Sequence, residues 1–217
     1  VEGALIYRTI NVVALNMPHG FTPYGFKKCE GYTLKVWNEN NIQEIGIPQT
    51  IRQFPPKNVV DCVLLANYLR FKILLKGGWY IDTDVDILKN PDCVTATADL
   101  LLGFHCDDEI AGCIDTAVMY AQPDHPFIRD RVTELERNGL CAHDCVFDPV
   151  TNVTAKLREI HELDMKRTNF INYDKRRTIT VLSKEYFYPY KWNEPYSGVT
   201  ENTVMIHKWE KSWWQKE

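Results

Sequence analysis

In the middle of the chain a helical pattern runs directly into a strand pattern, and the strand pattern ends in two acids. Residues 57–76 carry Val60, Val63, Leu64, Phe71, Leu74 and Leu75 at helical spacing, with Pro55-Pro56 before them and Gly77-Gly78 after. The apolar segment 79–81 follows at once, and then Asp82-Thr83-Asp84. A helix, a tight glycine turn and a buried strand in immediate succession form the unit of a layered α/β fold, in which helices cover the faces of a sheet. The glycine pair removes the Cβ atoms that would keep the chain from reversing closely.

The flanking patterns extend this reading. Segments 4–10, 33–37, 100–105, 116–121, 178–182 and 203–207 read as strands, and 126–138 and 152–163 as helices. Residues 16–24 and 48–56 are punctuated by proline and glycine and read as connections. With 217 residues, no repeat and no linker, one domain over 1–217 is expected.

Composition excludes several function classes. Lys and Arg number 25 against 29 Asp and Glu, a net charge of −4, so nucleic acid is not expected as a main partner. The 45% apolar and 25% charged content is that of a folded chain rather than a disordered one. No apolar run approaches the ~18 residues that span a bilayer, and residues 1–4 lack the basic start of a signal peptide. Seven cysteines, an odd count, suggest thiols in a reducing compartment and hence a cytoplasmic setting. Cys141 and Cys145 lack the spacing of a zinc pair, so structural zinc is not expected.

The chemistry concentrates at Asp82 and Asp84. On an extended segment, acids two apart point the same way. They repel unless a cation joins them, and oxygen ligands select a hard divalent ion such as magnesium or manganese. Arg70, on the preceding helix, adds a positive charge suited to an anionic ligand. Two enzyme classes use such a pair. An aspartyl-phosphate phosphatase has an apolar strand ending in DxDx(T/V), which Asp82-Thr83-Asp84-Val85 matches, with the first acid as nucleophile and the second as acid/base. That class also needs a later Gly-Asp pair, which the chain lacks. The other class is the metal-dependent sugar transferase.

Segment 70–85, Arg-Phe-Lys-Ile-Leu-Leu-Lys-Gly-Gly-Trp-Tyr-Ile-Asp-Thr-Asp-Val, resembles the DxD signature of glycosyltransferase family 32, the group that includes initiation mannosyltransferases and shares its core with the clostridial glucosylating toxins. Further ordered segments are similar to that family: Ile6-Tyr7-Arg8-Thr9, Leu34 to Asn40, Tyr186 to Tyr190, and Ile206 to Trp213. The compact length is similar to the N-terminal domain of glycosyltransferases encoded by chlorella viruses. The resemblance implies a GT-A type nucleotide-diphospho-sugar transferase fold, with a mixed central sheet flanked by helices. It implies retaining transfer of a sugar from a nucleotide-diphosphate donor to a glycan or glycoprotein hydroxyl. UDP-glucose is the default donor, and a deoxyhexose such as rhamnose is the option if the chain is viral.

By the same resemblance Asp84 and His207 are metal ligands, Asp82 contacts the donor and reaches the metal, and the cofactor is Mn2+ or Mg2+. Arg70 contacts the donor, Lys211, Ser212 and Trp213 close over the diphosphate, and Asn67 and Asp115 position donor and acceptor. Tyr7 and Thr9, at the end of the expected first strand, suit the uracil and ribose, since open α/β sheets bind ligands outside the carboxyl ends of their strands. The family usually has Asp at the position of Asn67 and Asn at that of Asp115. These departures leave open a glycan- or nucleotide-binding module without turnover. The resemblance is also compatible with a piece of a larger multidomain chain, acting in the host cytoplasm if viral, or in the Golgi lumen as a domain cut from its anchor.

Overall fold

A computed structural model describes residues 8–14, 31–38, 40–52, 59–95, 98–106, 113–138, 148–164, 166–174, 177–191 and 194–210. In chain order the strands are β1 (Thr9–Val13), β2 (Thr33–Trp37), β3 (Gly78–Ile81), β4 (Val85–Ile87), β5 (Leu100–Phe104), β6 (Ile114–Ala121), β7 (Asn169–Asp174), β8 (Arg177–Leu182) and β9 (Met205–His207). The helices are α1 (Gln49–Arg52), α2 (Val59–Leu74), α3 (Asp92–Thr95), α4 (Pro126–Asn138) and α5 (Asp148–Ile160). Seven strands form one mixed sheet in the order β2-β1-β3-β6-β5-β8-β7, and β4 and β9 form a separate antiparallel ribbon. The fold is mixed α/β, as the sequence pattern implies.

The α2–β3 turn shows why two glycines are needed. Gly77 and Gly78 have φ of 78° and 101°, in the region that side chains avoid. A Cβ on Gly77 would meet the Pro123 ring at 2.8 Å, and one on Gly78 would meet the Thr9 carbonyl oxygen at 2.6 Å. The turn therefore presses β3 against β1 while α2 lies back over the sheet.

Alternation along the strands feeds two cores. Tyr80, Leu100, Leu102, Met119 and Ile179 face Leu65, Leu69 and Phe71 of α2, Val132 of α4, and Val153 and Leu157 of α5. Trp79, Ile81, Leu101, Val118 and Tyr120 belong to the second core, with Val85 and Ile87 of β4, Met205 of β9, and Phe187 and Tyr188. One polar side chain ties the parallel edge together. Asn11 Nδ2 donates to the Trp79 carbonyl at 2.9 Å, and Trp37 Nε1 donates to Asn11 Oδ1 at 3.0 Å, both inside the sheet. The Asn11 amide and the Trp37 indole nitrogen thus satisfy each other and the Trp79 carbonyl, and β2, β1 and β3 are held in one register.

Several elements depart from the sequence reading. The first strand, expected over 4–10, runs Thr9–Val13, with the doubly buried run at Ile10 to Ala14, and residues 4–7 lie outside the described residues. The strand at 203–207 shortens to Met205–His207, the helix expected over 57–76 ends at Leu74, with 57 and 58 outside the described residues, and the helix at 152–163 begins earlier, at Asp148. Strands β4 and β7 were not anticipated. The first has three residues, and the second lies at the sheet edge with Phe170 exposed.

Candidate functional site

Sheet topology brings one set of strand ends together. β1 and β3 run parallel, with Asn11 opposite Tyr80, so the carboxyl end of β1 lies beside Asp82. β6 runs antiparallel to β3, with Ile81 opposite Val118, and Asp82 N–H donates to the Ala117 carbonyl at 2.8 Å. The start of β6 and the end of β5 meet at the same rim, with Gly103 opposite Asp115. β1 has β2 on one side and β3 on the other, so the chain leaves it in opposite directions. Open α/β sheets bind ligands in the crevice outside the carboxyl ends at such a switch point.

At this rim the chain turns. Val85 N–H donates to the Asp82 carbonyl at 3.3 Å, so Asp82 and Asp84 sit in a tight turn and not on an extended segment. The alternation argument for their common direction is therefore replaced by turn geometry, with the β4–β9 ribbon closing the other side. Val85 pairs with His207 across that ribbon. His207 Nε2 lies 3.2 Å from Asp84 Oδ1, and one ligand atom from each of Asp82, Asp84 and His207 falls within 4.8 Å of the others. Backbone groups of the following segment clamp Asp84. Glu210 N–H donates to its Oδ2 at 3.0 Å, and Lys208 N–H to its carbonyl at 2.9 Å.

Asp82 is held by different groups. It follows Tyr80 on the helix-covered face, where the Tyr80 hydroxyl donates to Asp82 Oδ1 at 2.6 Å. The Arg70 guanidinium, reaching from α2, lies 3.7 Å from the same oxygen and over the Tyr80 ring at 5.1 Å. Arg70 Nη1 also donates to Thr116 Oγ1 at 2.6 Å, so the cation is anchored between α2, β3 and β6.

The two carboxyls titrate in opposite directions. Burial pushes Asp82 up, Arg70 opposes it and the Asp84 charge adds to it, leaving Asp82 above the usual carboxylate range. Burial also pushes Asp84 up, but the hydrogen bond and charge of His207 and the Glu210 N–H outweigh it, holding Asp84 below that range. For His207 burial lowers the imidazole, while Asp84, Asp115 and Asp82 carry it above its ordinary value. Two crowded carboxyls and one imidazole thus share too little positive charge. His207 Nδ1 is buried with no hydrogen-bond partner. Two carboxylates and an imidazole make a donor set that suits a divalent cation.

Aromatic side chains wall the cluster. The Trp209 ring lies 4.2 Å from His207, 5.8 Å from His105 and 5.9 Å from Tyr188, centroid to centroid. Trp209 has φ of 59°, a strained value for a bulky residue, and its Nε1 donates to the Tyr190 carbonyl at 3.0 Å. His105 Nδ1 lies 3.6 Å from Asp115 Oδ2, and Asp115 Oδ1 accepts from Ala117 N–H at 2.8 Å.

Of the sequence-derived site residues, Asp82, Asp84 and His207 converge, and Arg70 and Asp115 stand beside them. Asn67 is buried on α2, one turn before Arg70. Thr9 does not converge. It opens β1 next to Gly78, at the opposite end of the strand from Asp82. Its assignment assumed that the first strand ends near residue 10, whereas the strand starts there. Tyr7, Lys211, Ser212 and Trp213 lie outside the described residues, as do Cys141 and Cys145. Thr116, His105 and Trp209 were missed as site residues. Trp209 lay within a family-like segment, and the other two carried no local signal. Among the described residues no helix is long and apolar enough to cross a membrane.

No protein-family model matches the chain, and no curated protein sequence matches it. Among solved structures it is similar to a glycosyltransferase involved in the glycosylation of the major capsid of PBCV-1. That similarity has 11% identity and a TM-score of 0.47, and covers 91% of this chain and 92% of the other.

Proposed function

We propose that this chain is a retaining, metal-dependent glycosyltransferase of the GT-A type, moving a hexose from a nucleotide-diphosphate donor to a glycan hydroxyl. The observation that carries the proposal is the meeting of Asp82, Asp84 and His207 at the carboxyl rim of the sheet, at its switch point. The sequence resemblance assigns ligand roles to these same three residues, which lie 125 positions apart at their widest, Asp82 to His207. Within the proposal Asp84 and His207, with Asp82, hold Mn2+ or Mg2+, which neutralises charge on the departing diphosphate. Arg70 fixes the Asp82 carboxylate and adds positive potential to the pocket. Asn67 and Asp115 orient donor and acceptor, and the aromatic wall of Trp209 and Tyr188 excludes water from the reacting carbon. The acceptor proton passes to the leaving phosphate oxygen on the same face, so the chain needs no separate base.

The test is a panel of UDP- and GDP-sugars with Mn2+, with and without chelator, for wild type and Asp84→Ala. Chelator-sensitive release of sugar that Asp84→Ala abolishes supports the proposal. Phosphate release from monoesters, with no sugar-nucleotide turnover, favours the aspartyl-phosphate chemistry instead. Donor binding without turnover favours a binding module.

A further inference from the structure

Cys106 and Cys113 bracket the connection between β5 and β6. Both are buried, and their sulfurs approach to 2.7 Å. That is well inside ordinary contact between sulfur atoms that do not bond, and within a small adjustment of the ~2.05 Å of a disulfide. The backbone beneath them is pinned. Phe104 pairs with Ile114, and His105 N–H donates to the Cys113 carbonyl at 2.8 Å. The approach is therefore set by the strand ladder and not by two wandering side chains. The His105 imidazole interacts with the Cys106 side chain and also faces Asp115. A thiol beside a base held by a carboxylate is placed to lose its proton, and the thiolate is the species that exchanges with disulfides.

We propose that Cys106 and Cys113 are a dithiol–disulfide couple that closes covalently across the β5–β6 connection when a small-molecule disulfide such as oxidised glutathione is present. Cys106 gives its proton to His105, and its thiolate attacks one sulfur of the oxidant. A mixed disulfide forms and one thiolate leaves. The Cys113 thiolate then attacks the Cys106 sulfur, forming the internal bond and releasing the second thiolate. The two cysteine protons end on the two released thiols, and two electrons pass from the cysteines to the oxidant. The bond ties together the strand ends that carry His105 and Asp115 at the rim of the site. In a reducing compartment the couple rests as the dithiol that the odd cysteine count suggests.

The experiment equilibrates the native protein with oxidised glutathione, quenches with acid, alkylates the remaining thiols and digests with Asp-N protease. Cleavage at Asp107 and Asp108 separates the two cysteines, so their peptides stay joined only through a disulfide. The expected result is a joined pair that dithiothreitol releases, with two fewer alkylatable thiols than the seven of the chain. Cys113→Ser should lose the joined pair and trap glutathione on Cys106. His105→Gln should reach the same linkage about tenfold more slowly. Recovery of Cys106 and Cys113 as alkylated thiols overturns the proposal, and so does a linkage of either to a different cysteine. A wild-type rate in His105→Gln overturns the part given to His105.

Discussion

Replacing Arg70 with methionine separates electrostatic anchoring from packing, because methionine keeps the apolar stem and removes only the fork. The fork donates to Thr116 Oγ1 at 2.6 Å, stands 3.7 Å from Asp82 and covers the Tyr80 ring at 5.1 Å. A hydrogen bond to a charged group contributes about 1.5–3 kcal/mol, and a cation over an aromatic face about 0.5–1 kcal/mol. The expected loss is therefore about 3 kcal/mol, or roughly 6–12 °C in Tm for a domain of this size. The loss should depend on pH. Burial already raises the Asp82 carboxyl in the folded state, and Arg70 is the charge that restrains it. Without Arg70 it rises further, so the native state binds more protons than the unfolded chain above the unfolded carboxylate value of about 3.9. Stability then falls as pH rises through that window, so the Arg70→Met penalty is larger at pH 7 than at pH 5. Thermal melts in chelator at both pH values measure this. Asp82→Asn in the Arg70→Met background should recover part of the loss at pH 7, since the uncompensated charge is gone. A variant melting within about 2 °C of wild type at both pH values, or no recovery in the double variant, would refute the reasoning.

Further outcomes follow from the same geometry. Gly78→Ala places a Cβ against the Thr9 carbonyl oxygen at φ of 101° and should cost about 3 kcal/mol in a denaturant melt; a wild-type midpoint contradicts the close β1–β3 approach. His207→Gln removes a proposed ligand and should weaken Mn2+ binding at least about tenfold by titration calorimetry, while circular dichroism stays unchanged; an unchanged titration removes His207 from the centre. Tyr80→Phe deletes the 2.6 Å hydrogen bond to the Asp82 carboxylate and should lower stability by about 1.5–3 kcal/mol; a larger loss would show that the ring packing had also failed.

Some of this was legible in the sequence, and the reasons differ from element to element. β2 and α4 match their expected bounds, because Thr33–Trp37 alternates and Pro126–Asn138 opens on proline at a helix start. The Gly77-Gly78 break located the α2–β3 turn because only glycine tolerates both the φ values and the contacts there. Asp82 and Asp84 stood out through spacing, but the spacing suggested an extended strand where the chain makes a turn. β7 escaped notice because an edge strand with an exposed Phe170 does not alternate cleanly. His105 and Thr116 became visible only once β5 and β6 paired, since their partners Asp115 and Arg70 come from register and helix packing. The convergence of His207 on Asp84 depends on β9, expected within 203–207, pairing with β4, whose three residues are too few to show a pattern.

The central claim is that Asp82, Asp84 and His207 bind a divalent cation that carries the diphosphate of a nucleotide donor. Calorimetric titration of UDP into the protein, in Mn2+ and then in chelator, tests it most directly, with GDP run alongside. The account predicts binding of at least one of the two nucleotides in Mn2+, its loss in chelator, and its loss in Asp84→Asn with Mn2+ present. Binding that is equally tight in chelator, or that survives Asp84→Asn unchanged, would contradict it.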